Sequence, residues 1–159
     1  MNYIEIRETI FFGKQNIPWN DVERYIRRYD GRVIRNINYG DEIQINASTA
    51  DEYVHSQYTR KLRGALAKVK ANAAQVIPQL LESCNNRRWI ANKDNKHEKD
   101  AIRGWYRYDT HFSIKVASNE EGVRFNRYSA TIVVKINDTG MYLYDIINIK
   151  KEARKPTDS

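Results

Sequence analysis

Hydrophobic and polar positions alternate with a period of two over three long runs in the last third of the chain. In the first, Tyr106, Tyr108, Phe112, Ile114 and Val116 fall on one face, with Trp105, Arg107, Asp109, His111, Ser113 and Lys115 on the other. Tyr128, Ala130, Ile132, Val134 and Ile136 repeat the pattern. A third run sets Leu143, Asp145, Ile147 and Ile149 against Tyr142, Tyr144, Ile146 and Asn148. The runs are separated by Asn119-Glu120-Glu121-Gly122 and Asn137-Asp138-Thr139-Gly140, residues suited to hairpin turns. The pattern predicts an antiparallel meander with one face in the core.

The period changes upstream. Tyr3 to Arg7, Arg32 to Ile37 and Glu42 to Asn46 alternate as short strands, and between the first two lies an apolar stripe of Val22, Tyr25, Ile26 and Tyr29 at helical spacing. Asn20 with Glu23 three residues on has the spacing of a capping box, and Gly31 is a stop. Ser48 and Thr49 offer caps for a short helix through Tyr53. From Thr59, the residues Leu62, Ala65, Leu66, Val69 and Ala73 keep helical spacing, and Val76, Ile77, Leu80, Leu81 and Cys84 continue it. Pro78 places either a kink or the first turn of a new helix there, with two helices meeting near Ala73 to Gln75. Asn85 to Lys99, rich in Asn, Lys and Arg, reads as an exposed connection with a helix only at its end. The expected fold is therefore α+β: a small N-terminal α/β unit over 1–47, helices packed on an antiparallel β-meander over 48–152, and a frayed tail over 153–159.

Composition narrows the function classes. The 159 residues carry 27 Lys and Arg against 20 Asp and Glu, a formal charge of +7, with 11 Tyr and a single Cys. One cysteine excludes an internal disulfide or a Cys-rich zinc cluster, and Cys84 falls at an apolar helical position. No apolar run approaches the roughly 18 to 20 residues of a membrane span, and Met1 to Phe12 lacks the pattern of a signal peptide. A cytoplasmic protein with no membrane partner is expected. The positive charge concentrates on Arg60, Lys61, Arg63, Lys68 and Lys70, where no acidic residue intervenes, and this favours an anionic partner: RNA above all, or an acidic protein surface.

Candidate chemistry is thin but directional. His55, His97 and His111 do not cluster with acids as metal ligands do, and Asp109 and Asp145 are the only plausible sheet-borne carboxylate pair for a divalent ion, so no metal or other cofactor is expected. There is no phosphate-binding glycine loop, nucleophile elbow or dinucleotide fingerprint. Interleaved aromatics and Arg over Gly104 to Phe112 suit stacking on unpaired bases with phosphate contacts alongside, which makes Trp105 and His111 candidate nucleic-acid contacts; ordinary cross-strand pairing is the structural alternative. Metal-free RNA cleavage needs a base for the 2′-hydroxyl, an acid for the leaving oxygen and fixed cations around the phosphate. His, Lys, Arg and Tyr can supply all three.

Four segments carry a resemblance: Ser56-Gln57-Tyr58-Thr59-Arg60-Lys61-Leu62-Arg63-Gly64, His97 to Lys99, Gly104-Trp105-Tyr106-Arg107-Tyr108-Asp109 with Phe112, and Tyr142-Leu143-Tyr144-Asp145-Ile146 followed by Lys150-Lys151. Over residues 48–152 the chain resembles the barnase/EndoU/colicin/RelE-like nuclease domains of phage and mobile-element large polyvalent proteins. That resemblance implies helices on an antiparallel sheet and a metal-independent ribonuclease site on the exposed sheet face. His97 would be the general acid or base and Arg107 the phosphate clamp. Thr59 and Lys61 would be supporting polar groups, and Tyr144 a candidate on the last strand. The rival expectation is a non-catalytic binding module, an anti-defence or adaptor protein using the cationic helix face.

Overall fold

The structure is a computed structural model in which residues 3–13, 16–92, 102–120 and 122–153 are described. Among these the chain runs β1 (Ile4–Ile6), α1 (Trp19–Arg27), β2 (Val33–Arg35), β3 (Glu42–Gln44), α2 (Ala47–His55), α3 (Gln57–Lys61), α4 (Gly64–Ala73), a 3-10 turn (Ala74–Val76) and α5 (Ile77–Ser83). It continues through β4 (Asn85–Ala91), β5 (Ile102–Asn119), β6 (Gly122–Asn137) and β7 (Gly140–Lys151). The fold is α+β, with the meander β5-β6-β7 antiparallel throughout.

Strands from the first 46 residues extend the meander on both sides, giving the order β1-β5-β6-β7-β3-β2. β1 lies parallel to the far half of β5, with Ile4 beside Phe112, while β4 lies antiparallel to its near half, with Arg88 beside Arg107. At the other side β3 reaches only Met141 and Tyr142 of β7, and α2 with α3 covers the edge beyond. There the Thr49 hydroxyl donates to the Leu143 carbonyl at 3.2 Å and the Ile149 amide donates to the Tyr58 hydroxyl at 2.8 Å. An edge that would otherwise expose unpaired backbone groups is thus closed by side chains.

The core lies between the helices and the even-numbered face of β5 and β6. Val22 and Ile26 of α1, Ile77, Leu80 and Leu81 of α5, Tyr108 and Phe112 of β5, and Ile132 and Val134 of β6 are all fully buried. Cys84 is buried among them, as its spacing indicated; burial pushes its thiol up to about 12, against the pull of a hydrogen bond from Asn36. Val116, expected on the core face, is instead the extra residue of a bulge, since Lys115 pairs with Phe125 and Ala117 with Arg124, and it is exposed.

Several local expectations are corrected. Asn85–Ala91 is a strand, because Arg88 to Ala91 find backbone partners along β5 that a polar composition does not announce. α1 begins at Trp19 after Pro18, with no side-chain cap, so the Asn20 capping box does not form. The helical spacing from Thr59 to Ala73 is divided: α3 ends at Lys61, Leu62 and Arg63 are extended, and Gly64 at φ +62° restarts the chain as α4. Ser56 caps α3, its hydroxyl accepting from the Thr59 amide at 3.1 Å. Pro78 stands in the first turn of α5, one of the two arrangements foreseen for it.

Candidate functional site

A cleft of about 610 Å³ opens between the α2–α3 corner and the odd-numbered face of the sheet. One wall is helical and includes Glu52, His55, Ser56 and Arg60; the other is Trp105 and Arg107 of β5 with Tyr144 and Asp145 of β7. Four of the side chains selected from the sequence, Arg60, Trp105, Arg107 and Tyr144, share this cleft.

A β-bulge makes the sheet wall. Val133 pairs with Asp145 and Val134 with Leu143, so Tyr144 is an extra residue that breaks strict alternation. Without it Tyr144 and Asp145 would point to opposite faces, as the period-two reading had them. With it both line the cleft, and the Tyr144 ring meets the Trp105 ring edge to face at 4.8 Å between centroids. Arg107, Val133 and Asp145 stand directly side by side on three adjacent strands.

Arg107 is half-buried, and its Nε is the one buried side-chain nitrogen or oxygen among the described residues without a hydrogen-bond partner. Such a donor normally has a protein or water partner, since leaving it unmade costs on the order of 1–3 kcal/mol. The residue lines the cleft together with Trp105 and Tyr144.

Beneath the cleft Lys70 is fully enclosed. Its Nζ donates to Asp145 Oδ1 and to Thr59 Oγ1, both at 2.5 Å, and lies 4.6 Å from the centre of the Tyr53 ring and 5.1 Å from that of Tyr58. Burial pushes the lysine down and the aspartate up, and each is partly held back by the other's charge. Asp145 Oδ1 also accepts from the Ile146 amide at 2.8 Å, and the nearby Ser56 hydroxyl favours its charged form. Lys70 therefore does not belong to a cationic surface: the fourth residue of a turn that carries Leu66 inward carries Lys70 inward too. Thr59 is likewise enclosed, donating to the Tyr53 carbonyl at 2.7 Å, and it supports the pair without lining the cleft.

The remaining cations disperse. Lys61 and Arg63 are exposed at the end of α3 and after it, and Lys68 extends toward the Phe12 ring at 5.9 Å. Of the five, only Arg60 reaches the cleft. His111 lies outside it as well, toward the far end of β5, where its Nδ1 is 2.7 Å from Glu152 Oε1 and its ring meets Tyr3 edge to face. His97 lies outside the described residues.

Sequence reasoning set His55 aside, yet this histidine lines the cleft. It ends α2 one turn after Asp51, whose carboxylate is 3.8 Å from Nε2. The signal available was its place immediately before Ser56-Gln57-Tyr58-Thr59, but only the packing of α2 on β7 brings it to the cleft. Glu23, Asp51 and His55 could bring ligand atoms within 4.8 Å of one another; Asp51 and His55 are exposed, and Glu23 is bonded to Arg27 at 3.0 Å. Asp109 pairs with Arg88 at 3.0 Å and Asp145 with Lys70, so that carboxylate pair is divided between separate cations.

No protein-family model matches this chain, and no curated protein or solved structure does so either. Among the described residues no helix is long and apolar enough to cross a membrane. The functional reading rests on the geometry of the cleft.

Proposed function

We propose that the cleft binds single-stranded RNA and cleaves it by metal-independent acid/base transesterification, the activity of the nuclease-like domains that the sequence resembles. The observation that carries this reading is the Arg107 guanidinium, its enclosed Nε–H without a partner, in a cleft that it lines together with the edge-to-face rings of Trp105 and Tyr144. A guanidinium in a cleft suits a phosphate, and the aromatic rings in the same wall suit an unpaired base. Arg60 adds a second positive charge on the opposite wall.

The reaction needs a proton acceptor and a proton donor close to that phosphate. His55 takes the part that the resemblance gave to His97, removing the 2′-hydroxyl proton so that the oxygen attacks phosphorus. The Tyr144 hydroxyl supplies a proton to the departing 5′-oxygen. Products are a 2′,3′-cyclic phosphate and a 5′-hydroxyl, and Arg107 holds the charge that accumulates on the phosphoryl oxygens.

End-labelled single-stranded RNA incubated with the full chain in EDTA tests this. Expected are fragments ending in cyclic phosphate, a loss of cleavage of about 100-fold or more in His55→Ala with binding retained, and weakened binding in Arg107→Ala. RNA that is retained but stays intact over long incubation would replace the enzyme by the binding module. RNA neither retained nor cut would overturn both and leave a protein partner.

A further inference from the structure

The cleft has two chemically unlike ends. Arg107 brings a guanidinium to one end, while Asp145, two strands away across Val133, brings to the floor of the other a carboxylate whose side chain is only 3% exposed, and strand spacing puts the two backbones about 10 Å apart on the same face. That span is comparable with the reach of one nucleotide from its phosphate to the outer edge of its base. The rings of Trp105 and Tyr144 lie in the same wall.

Asp145 is an unusual group to find in a site for a polyanion. A carboxylate at the floor of such a cleft repels phosphate, and its burial with Lys70 is costly, since a pair of apolar residues of like volume is often as stable or more so. Its fixation is elaborate: Lys70 and the Ile146 amide hold Oδ1, and two tyrosine rings enclose the lysine. A carboxylate so held is a rigid, oriented acceptor, and an acceptor in a base-binding cleft reads N–H groups.

We infer that Asp145 is a specificity-determining residue: with the phosphate on Arg107, its carboxylate accepts a hydrogen bond from the exocyclic amino group of the bound base, so that the cleft prefers amino-bearing bases over uracil. Uracil presents a carbonyl oxygen where adenine and cytosine present an amino group, and two acceptors then face each other without a proton between them. Lys70 is the positioning residue for this contact and does not touch the ligand. The inference rests on the reading of the cleft as a single-stranded RNA site.

Fluorescence anisotropy with 2′-O-methyl pentamers of A, C and U, which cannot undergo transesterification, tests it on the full chain. The wild-type protein should bind the U pentamer about tenfold or more weakly than the A and C pentamers. A double Lys70→Met, Asp145→Asn variant removes both charges and leaves no orphaned ion; it should bind all three alike. A pentamer of purine riboside, adenosine without its amino group, should bind the wild-type protein as weakly as the U pentamer does, which gives a result even if the double variant fails to fold. Equal wild-type affinity for the A and U pentamers, or for adenosine and purine riboside, would overturn the inference. Arg107→Ala separates it from the underlying reading: uniform weakening of every pentamer upholds the phosphate site, whereas unchanged affinities, or no binding by any form, would overturn the cleft itself.

Discussion

Arg107 and Lys70 lie within one small region of the fold, and their opposite circumstances show what a residue's neighbours add to its type. Arg107 lines the cleft with a buried Nε–H that has no partner, while the Nζ of Lys70 donates to Thr59 and Asp145. Both are basic residues set among apolar or aromatic neighbours in sequence, and the enclosure by Tyr53, Tyr58 and β7 separates them. Gly104 is a second residue whose meaning is local. A Cβ built there would lie 2.6 Å from the Trp89 ring and 2.7 Å from the Ile90 carbonyl oxygen, so the glycine is required by the close approach of β4 to β5. Gly104→Ala should destabilise the protein by about 1–3 kcal/mol, the usual cost of overpacking, and should leave the Trp89 indole displaced. Urea unfolding measures the first, and the fluorescence of Trp89, with Trp19 and Trp105 replaced by Phe, measures the second.

At the scale of elements, the site depends on two departures from regularity. The bulge in β7 turns Tyr144 and Asp145 toward one cleft, and the break between α3 and α4 lets Ser56, Thr59 and Lys70 approach Asp145 from two directions. Gly64 makes the break at φ +62° with open space around it, so a side chain there would be strained by backbone conformation and by nothing else. Gly64→Ala should therefore cost about 1–2 kcal/mol, seen as a lower urea midpoint with an unchanged slope; a continuous α3–α4 helix in the variant would instead leave stability equal or higher. The meander was legible because its alternation and both turn signals agree over long strands. β4 was not, since its partner is non-local and five of its seven residues are Asn, Arg or Trp.

For the molecule as a whole, the sheet joins the beginning of the chain to its end. β1 pairs with β5 over three residues, a short contact, and Glu152 just past β7 reinforces it by accepting from Tyr3 and holding the His111 ring. Burial raises the Glu152 carboxyl, but the hydrogen bonds of Tyr3 and His111 outweigh it and leave the group below its ordinary value. A carboxylate depressed in the folded state contributes stability above its unfolded value of about 4.3, and that contribution disappears as pH falls through the lower folded value. Glu152→Gln should accordingly lower Tm at pH 7 by an amount that shrinks toward zero as the pH is taken well below 4.3; a difference independent of pH would assign the clasp to packing. The sequence by itself determined the α+β class, the meander and its turns, the helical stripes of α1 and α5 and the burial of Cys84, because each follows from periodicity or turn chemistry within a few residues. Tertiary structure alone decided that Lys70 is interior, that His55 lines the cleft, and that Tyr144 and Asp145 share a wall. Those outcomes depend on which edge α2 and α3 cover and where β7 takes its extra residue, and both are set by contacts between segments far apart in the chain.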